Sequence, residues 1–174
     1  MRQAKVRIAM ERSIINPYLA GALLLIVALV QTSVMPNFLL FGVVPDLMLL
    51  VVVSWTLLRN NREGIAWAFA GGFLLDLLSS GPFGALSVSL FLSTLAIGIG
   101  GLGVFQGSSW LPAIASILAT GLYNLVYVTI LRLSGRAVPW MTALLQVTIP
   151  CMIWNAMAIY PIYWFLRRLN HRVT

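Results

Sequence analysis

Acidic residues are nearly missing from this chain. Its 174 residues include four: Glu11, Asp46, Glu63 and Asp76. So few carboxylates leave little room for paired acid–base catalysis. The two inside apolar sequence, Asp46 and Asp76, come without supporting catalytic groups. There is one histidine, His171, in a basic tail. No His/Glu cluster has metal-ligand spacing, and no serine elbow is present. The single cysteine, Cys151, excludes an intrachain disulfide and any cysteine-based metal cluster. It lies in an apolar run, where a free cysteine behaves as a small hydrophobe. No catalytic residue, metal or cofactor is therefore expected, and the chain reads as a non-enzyme. Charge of either sign is scarce: 9% of residues, against about 25% in a typical soluble domain.

What fills the chain instead is apolar sequence, 60% of residues. A globule of this composition could not cover its surface with polar groups, so lipid is its natural solvent. A spanning helix needs about 20 apolar residues, and the length between the polar ends suits about six. The expected fold class is all-α, an integral membrane bundle of about six transmembrane helices. Residues 17–166 form that domain, between basic tails at 1–16 and 167–174. The run Pro17 to Met35 is too long for the apolar part of a usual signal peptide, so it reads as a retained first helix.

The other spans follow from punctuation. Leu47 to Leu58 is twelve residues, about 18 Å of helix. A hydrocarbon core of about 30 Å needs more, so the second span should recruit Phe38 to Val44. Pro45 and Asp46 then lie at membrane depth, with Pro45 kinking or interrupting the helix. The remaining spans are expected at Gly64–Ser80, Leu86–Phe105, Trp110–Leu131 and Pro139–Phe165. The last should be interrupted by Pro150 and Pro161. Trp55, Trp110, Trp140 and Trp164 fall near span ends, as interfacial anchors do.

The net charge is +7. The basic residues sit at the ends of apolar runs, so topology accounts for them better than nucleic-acid binding. With six spans, one side holds Arg2, Lys5, Arg7, Arg12, Arg59, Arg62, Arg167, Arg168 and Arg172. The other holds Arg132 and Arg136. The excess of basic residues marks the cytoplasmic side, so both termini are expected there. The two outer arginines run against the rule and need a reason.

Asp46 and Asp76 are the residues most in need of explanation. They lie on sequential antiparallel spans, at similar depth in the outer half of the bilayer. A charged aspartate at mid-membrane costs about 2.5–3.5 kcal/mol on insertion scales. Asp46 can open a half-helix, where free N–H groups favour a carboxylate. Asp76 lies near a helix C-terminus, where the dipole disfavours it, so it needs a cation or a donor. Arg132 and Arg136 are the candidate counter-charges. Glu63 reads as a surface charge in a first helical turn. Gly64, Ala68, Gly72 and Asp76 recur every four residues, with Gly71 beside them. Such a stripe lets another helix approach closely; it is either a partner-binding face ending in an acid or packing within the bundle. Asn124 and Asn155, with Tyr123, Tyr127 and Tyr160, place polar groups inside the last two spans.

The order Pro45-Asp46-Leu47, a short basic turn, Glu63-Gly64, Gly72, Asp76, Ser79 and Pro82-Phe83-Gly84 resembles the MreD family of bacterial rod-shape-determining proteins. Length and span count match over nearly the whole chain. The resemblance implies a bacterial inner-membrane protein of the cell-elongation machinery for peptidoglycan. It implies a fold like that of the substrate-binding membrane subunits of energy-coupling-factor vitamin transporters. The implied direct partner is the single-span protein MreC. MreB, RodA and a class B penicillin-binding protein act in the same complex. Depth and small-residue spacing suggest the Asp76 stripe, or a groove by Pro82 to Gly84, as the seat for MreC. The alternative is a solute-binding membrane subunit of a vitamin transporter, with Asp46, Asp76, Asn124 and Asn155 as liners. The Ala-x-x-x-Ala spacing of such transporters' coupling helices is not clean here: Ala20, Gly21, Ala22 and Ala28 are irregularly placed.

Overall fold

A computed structural model describes residues 17–34, 44–59, 61–100, 110–136 and 139–173, and these are all helix and short connections. Six rods run through them. Helix α1 spans Pro17–Leu29 and continues as a π-helical segment, Val30–Val34. Helix α2 is Leu47–Leu58, α3 is Asn61–Leu78, α4 is Ala85–Ile99 and α5 is Leu111–Leu133. The sixth rod begins with the turn Trp140–Thr142 and the π-helical segment Ala143–Thr148. It then becomes α6, Ile149–Val173.

Helix α2 is the axis of the bundle. Every residue from Met48 to Leu57 is buried, and α2 contacts each of the other five helices. This explains its continuous aliphatic sequence, LMLLVVV, which has no polar face to present. Around it small polar residues share the interior with apolar ones, while many large apolar residues face outward. Ser54, Ser89, Ser93, Thr94, Ser116, Thr120 and Asn155 are buried. Phe69, Leu77, Leu118, Ile153 and Met157 are exposed. Apart from Ser54, these buried hydroxyls donate to a carbonyl about one turn back, as do Thr56 to Val52 at 2.8 Å and Thr94 to Leu90 at 2.8 Å. Small polar side chains tucked among the buried apolar ones, with large apolar side chains turned outward, suit a bilayer. Leu111–Leu133 and Leu145–Leu169 are each long and apolar enough to cross one.

Several boundaries differ from expectation. Val44 to Asp46 are not helical and α2 begins at Leu47. Pro45 therefore precedes a helix start, which excludes the kink and leaves the interruption of the two expected alternatives. The expected extension through Phe38 lies outside the described residues up to position 43. Helix α4 ends at Ile99, and the expected continuation to Phe105 also falls outside them. Pro161 does not interrupt the sixth rod, since α6 runs unbroken through it. Its ring sits on the exposed face, where the missing backbone bond disturbs no packing. Pro150 is the second residue of α6, a first-turn position that proline tolerates; the irregularity is the π segment before it. The helix then runs past Phe165 and carries Arg167 and Arg168.

Candidate functional site

The polar groups of interest collect at one end of the bundle, where α1 and α3 finish and α2, α4 and α6 begin. Asp46 is the N-cap of α2, its carboxylate accepting from Leu49 N–H at 3.4 Å. Gln31, in the π segment of α1, completes the cap with both ends of its amide. Its Nε2 donates to Asp46 Oδ1 at 2.7 Å, and its Oε1 accepts from Met48 N–H at 2.7 Å. The backbone N–H of Asp46 donates to Asn155 Oδ1 at 3.1 Å. Asn155, fully buried on α6, donates in turn to Thr120 Oγ1 on α5 at 2.9 Å. The Tyr123 hydroxyl also faces Asp46. One helix start thus ties α1, α2, α5 and α6 together. Asp46 does open a helix, and the Met48 and Leu49 N–H groups of its first turn are satisfied by the side chains of Gln31 and of Asp46 itself.

Asp76 does the same for another helix. Helix α4 starts after Gly84, whose φ of 89° only glycine adopts readily. Glycine offers no side chain to cap the first turn. Asp76, from the last turn of α3, supplies the acceptors. Its oxygens take Leu86 N–H and Ser87 N–H at 3.0 Å each, and the Ser87 hydroxyl as well. A carboxylate disfavoured by the end of its own helix is favoured by the start of the next. Donors that the sequence demanded are therefore found at a helix N-terminus. Arg132 sits over the Trp140 ring at 5.2 Å, and Arg136 is exposed beyond α5.

The small-residue stripe of α3 is internal. Gly64 abuts Thr56 of α2, Gly71 would place a Cβ 2.7 Å from Met48 sulfur, and Ala68 is fully buried. Gly72 would place one 2.5 Å from Ser87 Cα on α4. The stripe is wedged between α2 and α4, so for Gly64, Ala68, Gly72 and Asp76 the contacts observed are those of packing within the bundle. Pro82 and Gly84 are half-buried in the turn between α3 and α4, while Phe83 between them is exposed. Phe83 packs edge-on against Phe73 at 5.8 Å.

Glu63, at the opposite end, is more than a surface charge. It accepts from the Trp55 indole at 3.4 Å and lies 3.8 Å from the Arg59 guanidinium. Trp55 in turn stacks on Trp67 at 4.4 Å. At the Asp46 end a cavity of about 630 Å³ opens among Gln31, Thr32, Asp46, Ser79, Asn124 and Cys151. Sequence reasoning missed Gln31, Ser87 and Thr120. Gln31 carried a signal, as the one side-chain amide in an otherwise apolar first span. Ser87 and Thr120 look like ordinary small helix residues and carried none.

Buried polar caps, apolar outer faces and helices of spanning length define a helical membrane protein whose acids serve its architecture. The comparison with known families makes this specific. The profile of the rod shape-determining protein MreD matches residues 12–173, and the chain belongs to that family. Membership gives it a role in rod-shape determination. No curated protein and no solved structure matches the chain significantly.

Proposed function

We propose that this protein is a non-catalytic inner-membrane scaffold of the bacterial cell-elongation complex. It binds MreC directly and reaches MreB, RodA and a class B penicillin-binding protein through that complex, in support of peptidoglycan synthesis. The family match over residues 12–173 carries this reading. The use of Asp46 and Asp76 as helix caps agrees with it, because a scaffold needs fixed helices rather than reactive groups. Residues 17–166 form the transmembrane domain, and the basic tails 1–16 and 167–174 lie in the cytoplasm, following the positive-inside rule. The contact we propose for MreC is the Pro82–Gly84 turn, and the exposure of Phe83 beside Phe73 supports it.

The test is a pull-down from native membranes in mild detergent, with mass spectrometry of everything bound. MreC in near-equal amount is the expected result. A second reading, a solute-binding transporter subunit akin to those of energy-coupling-factor systems, draws on the polar-lined cavity at the Asp46 end. Recovery of nucleotide-binding ATPase subunits or of a vitamin, without MreC, would replace the first reading with the second.

A further inference from the structure

The cavity at the Asp46 end is not accounted for by the caps beside it. Its volume of about 630 Å³ falls within the range of about 300–1,000 Å³ usual for small-ligand sites. The walls are mixed, with Leu75, Leu78 and Leu86 facing Thr32, Ser79 and Asn124. One polar atom is unmatched. Nδ2 of Asn124 is buried and has no hydrogen-bond partner. The Cys151 thiol lies beside it, but a thiol is a weak acceptor. An unpaired buried amide donor costs about 1–3 kcal/mol, which an acceptor arriving in the cavity would recover.

The neighbours narrow what that acceptor is. Asp46 faces the same space, and no lysine or arginine lines the cavity among the described residues, so nothing there would hold an anion. Both ends of the Gln31 amide are occupied, and the Thr32 hydroxyl already donates to the Ala28 carbonyl at 2.9 Å. An uncharged carbonyl fits, with apolar substituents against the leucines. The cavity is also bordered by the first π-helical segment, which supplies Gln31 and Thr32. Such segments occur frequently at functional sites.

We infer that this cavity binds the ester or amide carbonyl of an amphiphile, its oxygen accepting from Asn124 Nδ2. The inference does not depend on the MreC reading. The carbonyl can come from a glycerol ester of the surrounding lipid or from a free amide solute. Delipidated wild-type protein in mild detergent is titrated with dioleoylphosphatidylethanolamine and, separately, with N-acetyl-leucinamide, and read by native mass spectrometry. One bound molecule is expected. Asn124→Leu should weaken it about tenfold, the equivalent of one hydrogen bond. Ser80→Trp, at the exposed rim, should block the same site without touching the buried donor. Loss of lipid binding in both variants identifies the bilayer as the source, and loss of amide binding identifies a free solute. Failure of both probes to bind wild type, or equal binding to all three proteins, overturns the inference.

Discussion

Asp76 caps a helix to which it does not belong: its carboxylate takes the N–H of Leu86, ten residues on, at 3.0 Å, and that of Ser87 at 3.0 Å. Each helix end is deficient alone. The last turn of α3 has an acid without a cation, and the first turn of α4 has N–H groups without a capping side chain. Replacing Asp76 by leucine should leave both N–H groups unpaired at a cost of about 3 kcal/mol or more. Asp76→Asn keeps one acceptor oxygen and should lose roughly half as much. Thermal unfolding in detergent reads the order wild type, Asn, Leu; a leucine variant as stable as wild type would remove the cap from the account of this fold.

Gly72 lies over the same junction. A Cβ there would stand 2.5 Å from Ser87 Cα, a backbone atom that cannot swing aside. Gly72→Ala should therefore push α3 and α4 apart, at about 1–3 kcal/mol. Gly21→Ala on α1 meets nothing within 4 Å and should leave stability unchanged or slightly raised, since alanine is the better helix former. Melting temperatures of the two variants, measured side by side, separate close packing from a general intolerance of alanine for glycine.

The sequence carried the six apolar segments, the special status of Asp46 and Asp76, and the closeness that the α3 glycines permit. It did not carry the partners. Periodicity places Gly64, Ala68 and Gly72 on one stripe but cannot say whether that stripe faces a neighbour in the chain or a second protein; the contacts observed are those of packing between α2 and α4. The Asp76 partner was hidden because a capping acid is usually sought within a residue of the helix it caps. Here the Ser79–Gly84 turn brings the acid back from the preceding helix. A helix start at Gly84 with no serine, threonine, asparagine or aspartate was the available clue. Proline at position 161 misled for a related reason. In this helix the missing N–H falls on the exposed face, where packing continues around it.

Gln31 joins α1 to α2 through Asp46 Oδ1 and Met48 N–H, each at 2.7 Å. Gln31→Leu should free the Met48 amide and weaken the hold on α1, with the rest of the bundle intact. Hydrogen exchange should then accelerate at Met48 by about tenfold, one hydrogen bond's worth of protection, while exchange in α5 stays as in wild type. Acceleration spread evenly over every helix would mean that Gln31 supports the whole fold rather than this one joint.

Asn124 and Asn155 look alike in sequence, one asparagine in each of the last two spans, and should respond differently to leucine. Asn155 accepts from Asp46 N–H at 3.1 Å and donates to Thr120 at 2.9 Å, so it links three helices from a fully buried site. Removing it leaves the Asp46 amide without its acceptor inside the bundle. Asn155→Leu should destabilise the protein by about 2 kcal/mol or more. Asn124 Nδ2 has only the weakly accepting Cys151 thiol beside it. Asn124→Leu removes an unsatisfied donor and should leave the ligand-free protein as stable as wild type, or more so. Thermal melts of the two delipidated variants test the pair. If Asn124→Leu falls as far as Asn155→Leu, then Asn124 holds the bundle together as Asn155 does, and its amide is not a donor waiting for a ligand.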